Sequence, residues 1–204
     1  MPHWVKTEDE LREHYAPAIE RAQLKTLRRL DVHCRRFIEL SPFVCLGTFG
    51  TAGADVTPRG DQAGFVRVLD DQTLALPDWR GNNRLDALEN ILVHPQVGLL
   101  FLIPGVDESL RVNGTARITV DPDLLANWEV QGKRPASALV IGVQEAFLHC
   151  GKALIRSRLW QTDAKVDRGV LPSYGRMLKD QIEVSDTVDE MEASIAHAYR
   201  ERLY

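Results

Sequence analysis

Gly64-Phe65-Val66-Arg67-Val68-Leu69, then Leu74-Ala75-Leu76, then Pro77-Asp78-Trp79-Arg80-Gly81-Asn82-Asn83-Arg84 is the stretch whose reading decides the fold. The first two runs are short, apolar and joined by Asp70-Asp71-Gln72, a connection of hairpin length. They predict strands over Phe65–Leu69 and Thr73–Leu76. From Gly81 the apolar period changes from two to about three and a half. Leu85, Leu88, Ile91 and Leu92 predict a helix over Leu85–Val93, with Asp86, Glu89 and Asn90 facing away. Asn82 or Asn83 is the expected N-cap of that helix. His94-Pro95 closes it, Val97–Ile103 reads as a buried strand, and Ser109–Val120 alternates as a strand with one wet face does. Strand, strand, polar elbow, helix, strand, strand offers amides and guanidinium groups to one small anionic ligand.

Upstream, Thr7-Glu8-Asp9-Glu10 has the spacing of a capping box and announces a helix. Its apolar positions are Leu11, Tyr15, Ile19, Ala22, Leu27 and Leu30, interrupted by Pro17. A second helical piece covers Asp31–Leu40, with Phe37 and Leu40 inward, and Ser41-Pro42 ends it. Phe43–Phe49 is nearly apolar throughout and reads as a central strand. Ala54–Thr57 begins its return, broken by Pro58-Arg59-Gly60-Asp61. Downstream, Asp121-Pro122 marks a helix start, Ala136–Leu148 a strand, and Lys152–Trp160, Leu171–Ile182 and Thr187–Tyr204 further helices. Short antiparallel strands with hairpin-scale links and helices at both ends predict a mainly β fold with helical additions. We expect one domain over 1–204: a helical extension at 1–42, a barrel at 43–150 and a helical region at 151–204.

The formal net charge of -4 argues against a general nucleic-acid or membrane-surface binder. Of the 25 basic residues, 19 are Arg, which supplies forked donors for phosphate and carboxylate, although a genome composition bias explains the same excess. Cys34, Cys45 and Cys150 are too few and too spread for a disulfide framework, and no metal-ligand spacing is present. With no apolar core of a signal peptide and no long apolar run, the expected location is the cytoplasm.

At the elbow, Arg80-Gly81-Asn82-Asn83-Arg84 joins two guanidinium groups and two side-chain amides at a helix start, a pattern suited to phosphate or equally to a well-capped solvated helix. Arg59 adds a third cation or pairs with an acid. Phe65-Val66-Arg67-Val68 offers a strand edge to a flat ring or simply a core strand. Ser109 and Arg111 share a strand face. Leu148-His149-Cys150-Gly151-Lys152 gathers a His, a thiol and a cation. Adjacent strand residues point to opposite faces, which argues against a Cys/His catalytic pair and leaves His149 or Lys152 as contacts for an anionic ligand.

Asn82-Asn83-Arg84, then His94-Pro95-Gln96-Val97-Gly98-Leu99-Leu100-Phe101, then Val112-Asn113-Gly114-Thr115-Ala116 resemble, in this order, the pyridoxamine 5′-phosphate oxidase-like family of FMN-binding split barrels. The resemblance is close over Phe43–Arg117 and looser in the last third. It implies an antiparallel, Greek-key-like split barrel and a homodimer with FMN at the subunit interface. It implies that Phe65 and Val66 meet the flavin ring through their backbone and that Pro77 and Asp78 lie beside the ring and ribityl chain. It further implies that Asn82, Asn83 and Arg84 hold the phosphate and that Ser109 makes a polar ring contact. Arg59, Arg67, Arg111, His149 and Lys152 complete the expected cofactor set. The C-terminal substrate motif of the authentic oxidase is absent, so vitamin B6 oxidation does not transfer. The expected activity is FMN-dependent redox chemistry on a small-molecule substrate, with no residue assigned as acid or base. The alternatives are a flavin store or sensor, a deazaflavin reductase, or a heme-binding barrel using His149.

Overall fold

The computed structural model describes residues 3–204; the first two residues of the expected 1–42 extension lie outside the described residues. Its centre is a seven-stranded antiparallel sheet. In chain order its strands are β1 (Phe43–Gly50), β2 (Gly53–Gly60), β3 (Arg67–Val68), β4 (Thr73–Asp78), β5 (Gln96–Leu102), β6 (Ser109–Thr119) and β7 (Ser137–His149). The spatial order is β2-β1-β5-β6-β7-β4-β3, which makes β1 internal, as its apolar sequence requires. Arg59 on β2 and Asp78 on β4 form an ion pair although five places separate the two strands in that order up to β4. The sheet therefore curls until its ends approach. This is a mainly β fold with helical additions, a split barrel.

The alternation of β1, β5 and β6 points Val44, Leu46, Leu99, Phe101, Leu110 and Val112 into one core, each no more than 1 % exposed. At the bulge between Asn113 and Gly114, a side chain on Gly114 would begin 2.2 Å from the Gly142 carbonyl oxygen. The glycine is required by the close approach of β6 and β7 there.

Several expected boundaries are corrected. Phe65–Leu69 contributes only the two-residue β3, because Phe65 and Val66 turn into the core before pairing begins. β4 runs past Leu76 to Asp78, so Pro77 and Asp78 belong to a strand, opposite Ala138 and Ser137. β3 ends its pairing at Ala75, and the proline therefore sits where no donor is needed on that side. β2 continues through Pro58 to Gly60, as an edge strand allows.

The helices are α1 (Glu8–Glu13), α2 (Glu20–Leu24), α3 (Val32–Leu40), α4 (Asp86–Val93), α5 (Pro122–Leu125), α6 (Lys152–Ser157), α7 (Tyr174–Gln181) and α8 (Val188–Glu201). The expected helix after Thr7 is split at Pro17, and its positions Leu11, Tyr15 and Ile19 are 45–64 % exposed. The capping box is only half made: Thr7 accepts from the Glu10 amide, but the Glu10 carboxylate accepts from Lys6. Thr187 and Glu190 make the complete version at α8. In α3, Cys34, Phe37 and Ile38 are buried while Leu40 is 42 % exposed. α4 packs on β1 through Ala87 and Ile91, with Leu88 partly buried, whereas Leu85 and Leu92 face solvent. Asn90, expected to face away, turns inward and donates to the buried Thr48 hydroxyl at 3.0 Å. Burying Ile91 contributes about 1.5–3 kcal/mol to holding this helix.

Candidate functional site

The elbow forms where β4 ends and α4 begins. The Asn82 side-chain oxygen accepts from the Arg84 amide at 3.0 Å, and Asn83 takes the left-handed conformation at φ 60°. Asn tolerates that conformation, and the pair reverses the chain into the helix. Neither Asn caps α4. Its N-cap position is Leu85, whose side chain offers no acceptor, so the amides of the first turn receive no side-chain cap. Leu85 and Leu88 at this helix start, with Asn82 and Asn83, border a cleft of about 390 Å³.

Thr57 and Arg59 from β2, Asp78, Trp79–Arg84, Leu85 and Leu88, and Ala136 and Ser137 line this cleft. The Arg59 and Asp78 side chains are 22 % and 12 % exposed and paired, yet the Arg59 Nε is buried without a hydrogen-bond partner. A buried, unsatisfied guanidinium N–H in a cleft that also meets an uncapped helix start fits an anionic oxygen. Arg84 pairs with Asp86, which raises its pKa, but the pair is largely exposed and readily exchanged for another anion. A phosphate-bearing cofactor is thus compatible with the residues present.

One wall of the cleft is fixed from outside it. Asp61 accepts from the Trp79 indole at 3.2 Å and from the Tyr204 hydroxyl at 2.7 Å, and the two rings meet edge to face at 4.9 Å. The hydrogen bond to Asp61, with burial, raises the Tyr204 pKa. Neither Asp61 nor Tyr204 stood among the expected site residues. Asp61 was visible as the end of Pro58-Arg59-Gly60-Asp61, but the approach of Tyr204, 143 residues away, leaves no local signal.

The expected residues do not gather in one place. Arg59, Asp78, Asn82, Asn83 and Arg84 share the cleft. Phe65, Val66 and Arg67 line a neighbouring hollow of about 520 Å³. There the Phe65 carbonyl accepts from Trp128 and its amide donates to Gln62, while Arg67 donates to the Asn127 carbonyl. Pro77 is buried. Ser109, Arg111 and His149 lie elsewhere, with Lys152 just past His149 at the start of α6. β7 pairs its first residue, Ser137, with Asp78 and its last, His149, with Ser109, so the two groups stand at opposite ends of roughly 40 Å of extended strand.

That far end is a cation–aromatic cluster. The Arg111 guanidinium lies 4.2 Å and the Lys25 ammonium 5.1 Å from the Phe147 ring centre, and the His149 ring is 4.8 Å from it. Burial, then the charges of Arg111 and Lys25, lower the His149 pKa. The Arg111 Nε is a second buried donor without a partner. Cys150 is exposed and its pKa is lowered, first by the Lys152 amide. Among the described residues no cluster of His, Cys, Asp or Glu could hold a metal ion, and no helix is long and apolar enough to cross a membrane.

A family model described as pyridoxamine 5′-phosphate oxidase matches residues 30–150, more than half of the chain. The chain belongs to the pyridoxamine 5′-phosphate oxidase family. The match covers the whole barrel, including the elbow and the far end of β7, and stops before α6. HupZ of Group A Streptococcus is 16% identical, with 58% of this chain and 93% of that one covered, at a TM-score of 0.49. A Clostridium acetobutylicum protein related to general stress protein 26, of the pyridoxinephosphate oxidase family, is 16% identical over 58% and 87%, at 0.46. An FMN-binding protein of Syntrophomonas wolfei is 12% identical over 56% and 86%, at 0.41. No curated protein matches the chain.

Proposed function

We propose that the protein is a homodimeric FMN-dependent oxidoreductase acting on a small-molecule substrate, with the flavin phosphate at the elbow. The observation that carries this reading is the cleft between β2, β4 and α4, lined both by Arg59, whose Nε is buried and unsatisfied, and by a helix start whose amides have no side-chain cap. Membership of the pyridoxamine 5′-phosphate oxidase family supports flavin as the anion's owner. Arg84 and the Asn82 and Asn83 carboxamides hold the phosphate, and Asp78 accepts from the ribityl hydroxyls while neutralised by Arg59. The bound flavin supplies the electron-transfer chemistry; the chain supplies orientation and charge.

The length of β7 supports the dimer. One protomer cannot bring Ser109, Arg111 and His149 to a cofactor held at its own elbow. In a two-fold dimer the far end of one β7 meets the elbow of its partner, and each cofactor touches both chains. Arg111 and Lys152 then lend positive charge to a reduced flavin ring, with the neutral His149 imidazole beside them.

Visible absorption of the purified protein tests the reading. Yellow protein, or colourless protein that becomes yellow with added FMN, is expected. Protein that stays colourless after equilibration with FMN and gel filtration contradicts it.

A further inference from the structure

Apart from the cleft and the hollow beside it, the molecule has a larger cavity of about 920 Å³ between the elbow and the end of α8. Its charge is one-sided, in a chain whose net charge is -4. Arg80, Lys133, Arg134 and Arg202 line it, against one carboxylate, Glu201. Two of these cations are engaged: Arg134 pairs with Glu129, and Lys133 donates to the Tyr204 main-chain oxygen at 3.0 Å. Arg80 and Arg202 have no ion-pair partner among the described residues. Each therefore offers a free, permanently charged fork of donors, the geometry that matches a carboxylate.

The rest of the lining is aromatic and apolar. Trp79, Tyr199, Leu203 and Tyr204 all border the cavity. The Trp79 indole N–H and the Tyr204 hydroxyl both donate to Asp61, so what these two rings add to the cavity is carbon surface. Their edge-to-face contact at 4.9 Å makes them a fixed pair. Tyr199 and Leu203 are 62 % and 66 % exposed, apolar surface that the chain itself does not cover. An inorganic anion would use only the guanidinium groups, and a neutral ring only the aromatic side chains. A pocket of this size with apolar walls and a few convergent polar groups suits a small organic molecule that carries both.

We propose that this cavity is a second binding site, for a small aromatic carboxylate. The ring lies against Tyr199 and the Trp79–Tyr204 pair, and the carboxylate takes the Arg80 and Arg202 guanidinium groups. Arg59, Asp78 and Arg84 line the cleft and not this cavity, so the inference stands whether or not the cleft holds a flavin.

Calorimetric titration of the full chain with 2-naphthoate, its uncharged amide 2-naphthamide and inorganic phosphate tests it. One naphthoate per chain is expected, with the amide and phosphate each at least about tenfold weaker. Arg202→Ala and Tyr199→Ala are each expected to weaken naphthoate binding at least about fivefold, while Arg84→Ala, in the cleft, changes it less than about twofold. The three replaced side chains belong to exposed residues, so the variants should keep the fold. Naphthoate that fails to bind, that binds no tighter than the amide or phosphate, or that keeps its affinity in both cavity variants overturns the inference. So does a loss in Arg84→Ala equal to that in Arg202→Ala, which would put the acid in the cleft.

Discussion

Arg84 and Arg59 both face the cleft, but their surroundings assign them different work. Arg84 is on the surface, and its contact with Asp86 is an exposed pair that water and salt weaken. It can turn to a phosphate at little expense to the fold. Arg84→Ala should leave thermal stability unchanged and weaken FMN binding roughly tenfold, the loss of one charge-assisted contact; equal affinity in a fluorescence titration would remove Arg84 from the site. His149 carries a prediction in pH. Its folded pKa is lowered below the ordinary 6.5 by burial and by Arg111 and Lys25, so the unfolded chain binds the proton more readily. Stability is then full at pH above 6.5 and falls as pH drops from there toward the lower folded value. His149→Gln should flatten that part of the stability curve, measured by urea unfolding from pH 7.5 to 5; an unaltered slope would show that other groups carry it.

At the scale of elements, the barrel is closed by one cross-sheet ion pair and kept tight by the glycine at the β6 bulge. Arg59→Met leaves the Asp78 carboxylate partly buried and unpaired. It should lower stability by about 2 kcal/mol, or roughly 4–8 °C in Tm, with most of the loss recovered in the Arg59→Met/Asp78→Leu double variant. Gly114→Ala drives a methyl group into the Gly142 carbonyl and should cost about 1–3 kcal/mol by the same thermal measurement. The elements themselves were largely legible because β1, β5 and β6 alternate or run apolar in the sequence, and because the Thr187 and Asp121 caps are local. What was not legible depends on tertiary contact. Asn90 reads as a solvent-facing residue until Thr48 is seen beneath it, and Leu11, Tyr15 and Ile19 have helical spacing but no surface to pack on. At the site, the cationic elbow was readable from five adjacent residues, whereas the Asp61–Tyr204 contact and the separation along β7 exist only once the sheet is built.

For the whole molecule, the proposed site, with its residues divided between the ends of β7, requires a dimer. Gel filtration with light scattering should give twice the 23.0 kDa chain mass. A stronger check mixes two defective variants, Arg84→Ala at the elbow and Arg111→Ala at the far end. Unfolding and refolding them together yields hybrid dimers in which one of the two sites has both halves intact, so about a quarter of all sites should recover full affinity. No recovery would mean that each chain builds its site alone. The central claim is that the elbow grips the phosphate of a flavin, and equilibrium titration of flavin-free protein with FMN and with riboflavin tests it most directly. The account predicts one FMN per chain and riboflavin weaker by about a hundredfold, as expected for losing several charge-assisted hydrogen bonds; equal affinities, or no flavin binding at all, would contradict it.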